Sequence, residues 1–347
     1  AVSKDKALKP PLQHLQWVGG PRWSRHHDKM SSVSACVSGD GKVFYIFDEG
    51  STFTPYLPCH WKLIARDAFN GVVLWKRPLD QWVGNLYGLK SGPATLPRRL
   101  VVAGNRVCVT LGIHAPVSVL AADTGEVLQT LSGTECTEEI IHEDGLLYLV
   151  ADANAEKEEF QNGPRMNYPS GRWIVRSKQV LCCDLEAGKV LWSKAFDWVA
   201  PSTLSASRGK VYLFDGKQVV SLSREDGSVL WKSAELPVWQ QMATFYAPKL
   251  VVQEGVVMFV GGEDYVPHRG SAAGQVAGLS TENGKVLWTA KHLSGGYQSP
   301  GDLLVIDGKM WSANVTSGRK DSPTGTGDIL ARNPGSGQEE KQFEDIP

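Results

Sequence analysis

The feature that most limits how this chain can fold is a short unit that recurs along it. The segments ARDAFNGVVLWK, LAADTGEVLQT, CCDLEAGKVLWSK, LSREDGSVLWKS and LSTENGKVLWTA each run from a polar turn through a glycine into an apolar pair. Gly71, Gly125, Gly188, Gly227 and Gly284 align, and four positions later stand Trp75, Gln129, Trp192, Trp231 and Trp288. A sixth, degenerate copy surrounds Gly337. Before each copy a second turn feeds alternating β-branched and aromatic residues, in GDGKVFYIF, AGNRVCVTL, EDGLLYLV, SRGKVYLF, QEGVVMFV and IDGKMWSA, which is the pattern of a hairpin. Each unit therefore reads as four strands: A, a tight turn, B, a variable loop, C, the glycine turn, and D ending in tryptophan.

A four-stranded unit cannot bury both of its faces alone, so six in a row are expected to stack around an axis as the blades of an all-β propeller. The predicted blades are residues 34–79, 93–131, 137–196, 204–236, 249–291 and 301–347, the last incomplete or degenerate. Residues 1–33 form an extension in which LQWVGG, Leu15 to Gly20, has the alternation of a strand that completes a blade. The tryptophans are expected to pack against the neighbouring blade. Composition agrees with such a core: 42% of residues are hydrophobic and 21% charged. A formal net charge of −1 provides no global field to draw nucleic acid or an anionic membrane. No apolar run approaches the roughly 20 residues that span a bilayer.

The repeat, most nearly complete at Leu120 to Leu128, resembles the PQQ repeat of quinoprotein alcohol dehydrogenases and of BamB-type barrel-assembly lipoproteins. The likeness runs from about Ser34 to Phe343, and the chain as a whole is similar to the PQQ-binding-like propeller proteins of planctomycete-type bacteria. It implies a closed ring of seven or eight blades, so the six visible units are expected to be part of a larger set, with closure at six blades as the alternative. It also implies a periplasmic or exported protein, although Ala1 to Pro11 carries no apolar signal segment. The dehydrogenases hold PQQ on a calcium ion, use an aspartate base, and carry a disulfide between adjacent cysteines beside the cofactor. Cys182 and Cys183 invite that comparison but fall on strand C of the third blade rather than in a loop, and neither calcium-binding carboxylates nor a base can be matched to residues here.

The longest departures from the repeat lie between strands B and C: Asp48 to Trp61, Ala151 to Gln179, Gly261 to Gln275 and Asn314 to Asp328. Strands alternate in direction, so these loops share a face with the inter-blade connections, opposite the glycine turns. Variable loops on a rigid scaffold are where function concentrates. A ligand site is predicted at the axis of this looped face, lined by Trp82, Lys90, Trp198, Trp239 and Tyr297, with rings for stacking and one charge for orientation. The competing expectation is that some of these rings fold into the core. Arg98 and Arg99 stand at the entry to the second blade, placed for an anion at the axis or, preferably, for a neighbouring blade.

Other motifs carry less. His26, His27 and Asp28 with Cys59 and His60 match no closed zinc spacing, and adjacent residues of an extended strand point to opposite faces. The six cysteines show no repeated metal spacing. GNLYGLKSGP, Gly84 to Pro93, lacks the spacing and the following helix of a phosphate loop and reads as a connection. Two function classes remain. The preferred one is a non-catalytic binding or scaffold propeller for a protein, peptide or glycan, with no cofactor. The alternative is a PQQ- or metal-dependent oxidoreductase with its site in the central channel.

Overall fold

The computed structural model describes residues 17–19, 33–51, 53, 57–80, 82, 94–152, 173, 175–238, 247–261, 274–292, 303–313 and 327–346. These form six four-stranded antiparallel sheets, each a simple meander. Blade one comprises β1 (Val33–Gly39), β2 (Lys42–Asp48), β3 (Trp61–Asp67) and β4 (Val73–Pro78). Blade two follows with β5 (Leu100–Ala103), β6 (Arg106–Thr110), β7 (Val117–Ala121) and β8 (Val127–Thr130), and blade three with β9 (Thr137–Glu143), β10 (Leu146–Ala151), β11 (Lys178–Asp184) and β12 (Lys189–Phe196). Blade four holds β13 (Ser205–Ser207), β14 (Lys210–Phe214), β15 (Val219–Ser223) and β16 (Val229–Lys232). Blade five holds β17 (Lys249–Gln253), β18 (Val256–Val260), β19 (Gly274–Ser280) and β20 (Val286–His292). Blade six, degenerate in sequence, still pairs all four of its strands: β21 (Leu303–Ile306), β22 (Lys309–Ala313), β23 (Gly327–Arg332) and β24 (Glu339–Ile346).

The fold is a β-propeller of PQQ-like blades. First strands of successive blades lie side by side, β1 against β5 and onward to β17 against β21. The A–B turns are two-residue hairpins with positive φ at both positions in five blades, as at Asp40–Gly41 and Asp144–Gly145, the geometry whose twist matches that of the flanking strands. Beneath each glycine turn the C–D pairing skips a residue: Cys182 faces Trp192 while Cys183 faces Val190. The intervening Leu191 is the extra residue of a bulge and turns to solvent, as do Leu128, Leu230 and Leu287 at the same place.

Five apolar clusters fill the spaces between consecutive blades. One polar contact, repeated from blades one to five, clamps each of their five junctions. The Trp75 indole Nε1–H donates to the Ala122 carbonyl at 2.9 Å, Trp192 to Arg224 at 2.8 Å, Trp231 to Thr281 at 2.9 Å and Trp288 to Pro334 at 2.8 Å. Gln129 stands in for tryptophan and gives its Nε2–H to Leu185 at 2.6 Å. Each acceptor lies three residues before a turn glycine, and the ring lies flat on that glycine. A Cβ at Gly227 would sit 2.6 Å from the Trp192 ring, with φ at +70°. Glycine is thus required there both for the backbone and for the seat of the indole.

Candidate binding face

The B–C loops and the D-to-A connections meet on the face opposite the glycine turns. Across blades two to four this face is held together by buried charge. Leu96–Arg99 forms one 3-10 turn leading into β5. The buried Arg99 guanidinium donates from Nη1 to the carbonyl of Ile113 at 2.8 Å and to that of Thr137. Burial lowers its pKa to about 10, so it stays charged at neutral pH. Its neighbour Arg98 reaches past blade three and donates from Nη2 to the Ser202 carbonyl, 3.1 Å away, at the entry to blade four. Glu139 of β9 accepts the Ser202 backbone N–H and is buried. Desolvation raises its pKa, against the opposing pull of Arg98.

A second group anchors the long insertion of blade three at both ends. Lys178, at the start of β11, places Nζ 2.9 Å from carboxylate oxygens of both Glu138 and Asp152. Arg176 Nε lies 3.5 Å from the same Asp152 oxygen. Asp152 also ties the insertion to the preceding connection, since its backbone N–H donates to the Cys136 carbonyl at 3.1 Å. Cys136 has a φ of +56° and brings its Sγ to 3.5 Å from His114 Nδ1. Burial and then the charge of Asp152 hold the thiol protonated, which disfavours its use as a nucleophile.

Two of the five residues expected to line a site lie within the described residues. Trp198 is half-buried at the looped face, packed against the core between blades four and five with its ring against Gly216 in the B–C turn of blade four. At Trp82 the structure departs from the expectation of an open stacking surface. The ring is only 3% exposed, belongs to the core between blades one and two, and donates from Nε1 to Ser34 Oγ at 3.2 Å. Its large apolar area is better satisfied between blades than at the mouth. Lys90, Trp239 and Tyr297 lie outside the described residues, as do His26, His27, Asp28 and most of the four insertions.

The sequence reading passed over Glu138, Glu139, Asp152 and Lys178, although one signal was available: consecutive glutamates interrupting the apolar alternation of strand A, just before the longest insertion. It also passed over Phe53 and Val175, which project from the insertions of blades one and three with 90% and 65% of their surface exposed.

The sequence matches, over residues 117–307, the family described as outer membrane protein assembly factor BamB. The chain belongs to this BamB-like family of PQQ repeats. The match covers more than half of the chain and runs from the third strand of blade two to the first strand of blade six. Among solved structures, a europium-containing methanol dehydrogenase superposes with a TM-score of 0.50 at 13% identity, over 95% of this chain and 72% of the other. A quinohemoprotein alcohol dehydrogenase from Comamonas testosteroni also gives 0.50, at 11% identity, over 90% of this chain and 60% of its own. BamB from Moraxella catarrhalis gives 0.49 at 14% identity, over 87% and 70%. At these identities the two dehydrogenases support the fold alone. No curated protein sequence matches the chain.

Family membership makes the adjacent cysteines worth testing against the cofactor-side disulfide of quinoprotein dehydrogenases. They do not fit it. Cys183 belongs to the core between blades two and three, and Cys182 to the core between blades three and four. Both are free thiols, raised by burial to about 12 and about 11. The pleat of β11 sends them to opposite faces.

Proposed function

We propose that the chain is a non-catalytic binding or scaffold propeller whose looped face takes a protein, peptide or glycan. One observation carries this reading: buried charges of that face join the connections of blades two, three and four and pin the long insertion of blade three at both ends. Arg99 is occupied by two carbonyls, Lys178 lies between two carboxylates, and Arg98 and Glu139 both hold Ser202. Such a network makes a stiff rim for insertions that present apolar tips such as Phe53. A preorganised surface binds without the cost of ordering itself. The family description, an assembly factor, favours a protein or peptide over a glycan. Trp198 is the stacking residue assigned to this face, together with Lys90, Trp239 and Tyr297.

The test has two arms. Purified protein is applied to peptide and glycan arrays beside Trp198→Ala and Phe53→Ser. Binding by the parent that either variant loses, with its melting temperature kept, supports the reading. In the second arm PQQ and calcium are added and the absorbance spectrum is followed with an alcohol and a dye acceptor. A shifted spectrum with dye reduction would sink the proposal and install the oxidoreductase alternative.

A further inference from the structure

Blade three gathers a lysine and two carboxyl groups at one point where its first three strands meet. β9 and β10 pair with a register shift between Val150 and Ala151, which leaves Glu138 as the extra residue of a bulge. A bulge re-aims a side chain, and this one brings the Glu138 carboxylate to the base of the long insertion. Asp152 stands one residue past β10, and Lys178 opens β11 directly across from it, since Ala151 pairs with Gln179. Lys178 Nζ lies 2.9 Å from Asp152 Oδ2 and 2.9 Å from each Glu138 carboxylate oxygen. The Lys178 and Asp152 side chains are 7% and 5% exposed, whereas Glu138 keeps 24%.

An amine held against a carboxyl group, with a second carboxylate at the same nitrogen, has everything an amide-forming condensation needs. Fixing the two reactants beside each other replaces a bimolecular encounter. Burial of both keeps out the bulk water that would reverse the reaction. The second carboxylate, part in water, can take up and return protons within hydrogen-bond reach. Arg176 Nε, 3.5 Å from the same Asp152 oxygen, holds that carboxyl at the lysine.

We propose that Lys178 and Asp152 condense to an isopeptide bond that staples the two ends of the blade-three insertion, with Glu138 carrying the protons. The ion pair described above is the state before condensation. The lysine ammonium gives one proton to Asp152 Oδ2, and the neutral Nζ attacks Asp152 Cγ. Glu138 takes a second proton from Nζ and returns it to the departing hydroxyl. One N–C bond forms, one C–O bond breaks and one water leaves, so neither oxidant nor co-reactant is consumed. The product closes the insertion covalently at its base, where the ion pair alone would let it open.

The intact mass of the purified full chain, measured under denaturing conditions, tests this and needs no variant to fold. Expected is a mass one water below the sum of the sequence. After tryptic digestion a branched peptide should join Asp152 to Lys178, with no cleavage following Lys178. A mass equal to the sequence sum, unchanged after prolonged incubation of the folded protein at neutral pH, overturns the proposal. So does a lost water that maps to any other residue. Lys178→Met is expected to show the full mass, and a water still missing there also overturns it. Glu138→Gln keeps the lysine and the aspartate and is expected to stay uncrosslinked; a bond formed in this variant as fast as in the parent overturns the role of Glu138.

Discussion

The two faces of this propeller are built on opposite principles. On the glycine-turn face one contact recurs from blade to blade: a ring or amide from strand D on a glycine of the next blade, donating to a carbonyl three residues earlier. On the looped face the buried charges do not follow the repeat. Among the described residues, Arg99 to Thr137, Arg98 to Ser202 and Lys178 to Asp152 each join a different kind of position. Repetition therefore supplies cohesion, and the unrepeated face is free to be particular. This is the division expected of a repeat scaffold whose function sits on its insertions.

Several substitutions sharpen or break that contrast. The largest loss is expected on the periodic face: Trp192→Ala, which empties a seat between blades three and four, should cost about 3 to 5 kcal/mol in denaturant unfolding. A near-neutral value there would mean that the clamp is decorative. Lys178→Met leaves Asp152 and Glu138 without their shared cation. Removing one partner of a buried pair costs about 3 to 5 kcal/mol. The low end is expected, because the Glu138 side chain keeps 24% of its surface in water.

Glu139 supplies a pH dependence. Its carboxyl is raised in the folded state, so between the unfolded value and that raised value the native protein holds more protons than the unfolded one. Stability at this site falls as pH rises through that window and is recovered on acidification. Comparing melting temperatures of the parent and Glu139→Gln across the acidic range should show the variant with the shallower dependence; identical profiles would remove the group from the account. Gln129→Trp, which restores the repeat at its one exception among the five clear copies, is expected to stabilise by about 1 kcal/mol through added apolar burial. Destabilisation would show that blade three has adapted to glutamine. The smallest effect belongs to Phe53→Ser, an exposed tip, where stability should stay within about 0.5 kcal/mol. A larger loss would place this side chain in the fold rather than at its surface.

Much of the periodic face was legible in the residues. Alternating apolar strands and glycine turns mark all six units, the glycine-to-tryptophan spacing marks four of them, and even Cys182 and Cys183 declare themselves by lying inside a strand alternation. The looped face was legible only as a place. Trp82 reads like a surface aromatic in a connection, yet it lies in a core, because composition does not say whether a connection dips between blades. Glu139 and Lys178 read as ordinary charges in or beside strands, since their partners Ser202 and Asp152 are distant in sequence or lie across an insertion.

What the sequence by itself determined is the blade and its clamp, because both arise from contacts whose spacing is the same in every unit, and a repeated spacing can be seen without coordinates. Tertiary structure alone decided which charges meet on the looped face and that Trp82 lies in a core. Those contacts join segments that lie far apart along the chain or on either side of an insertion, and they do not follow the repeat. No periodicity announces them, and only the closing of strands around a common axis brings their partners within reach.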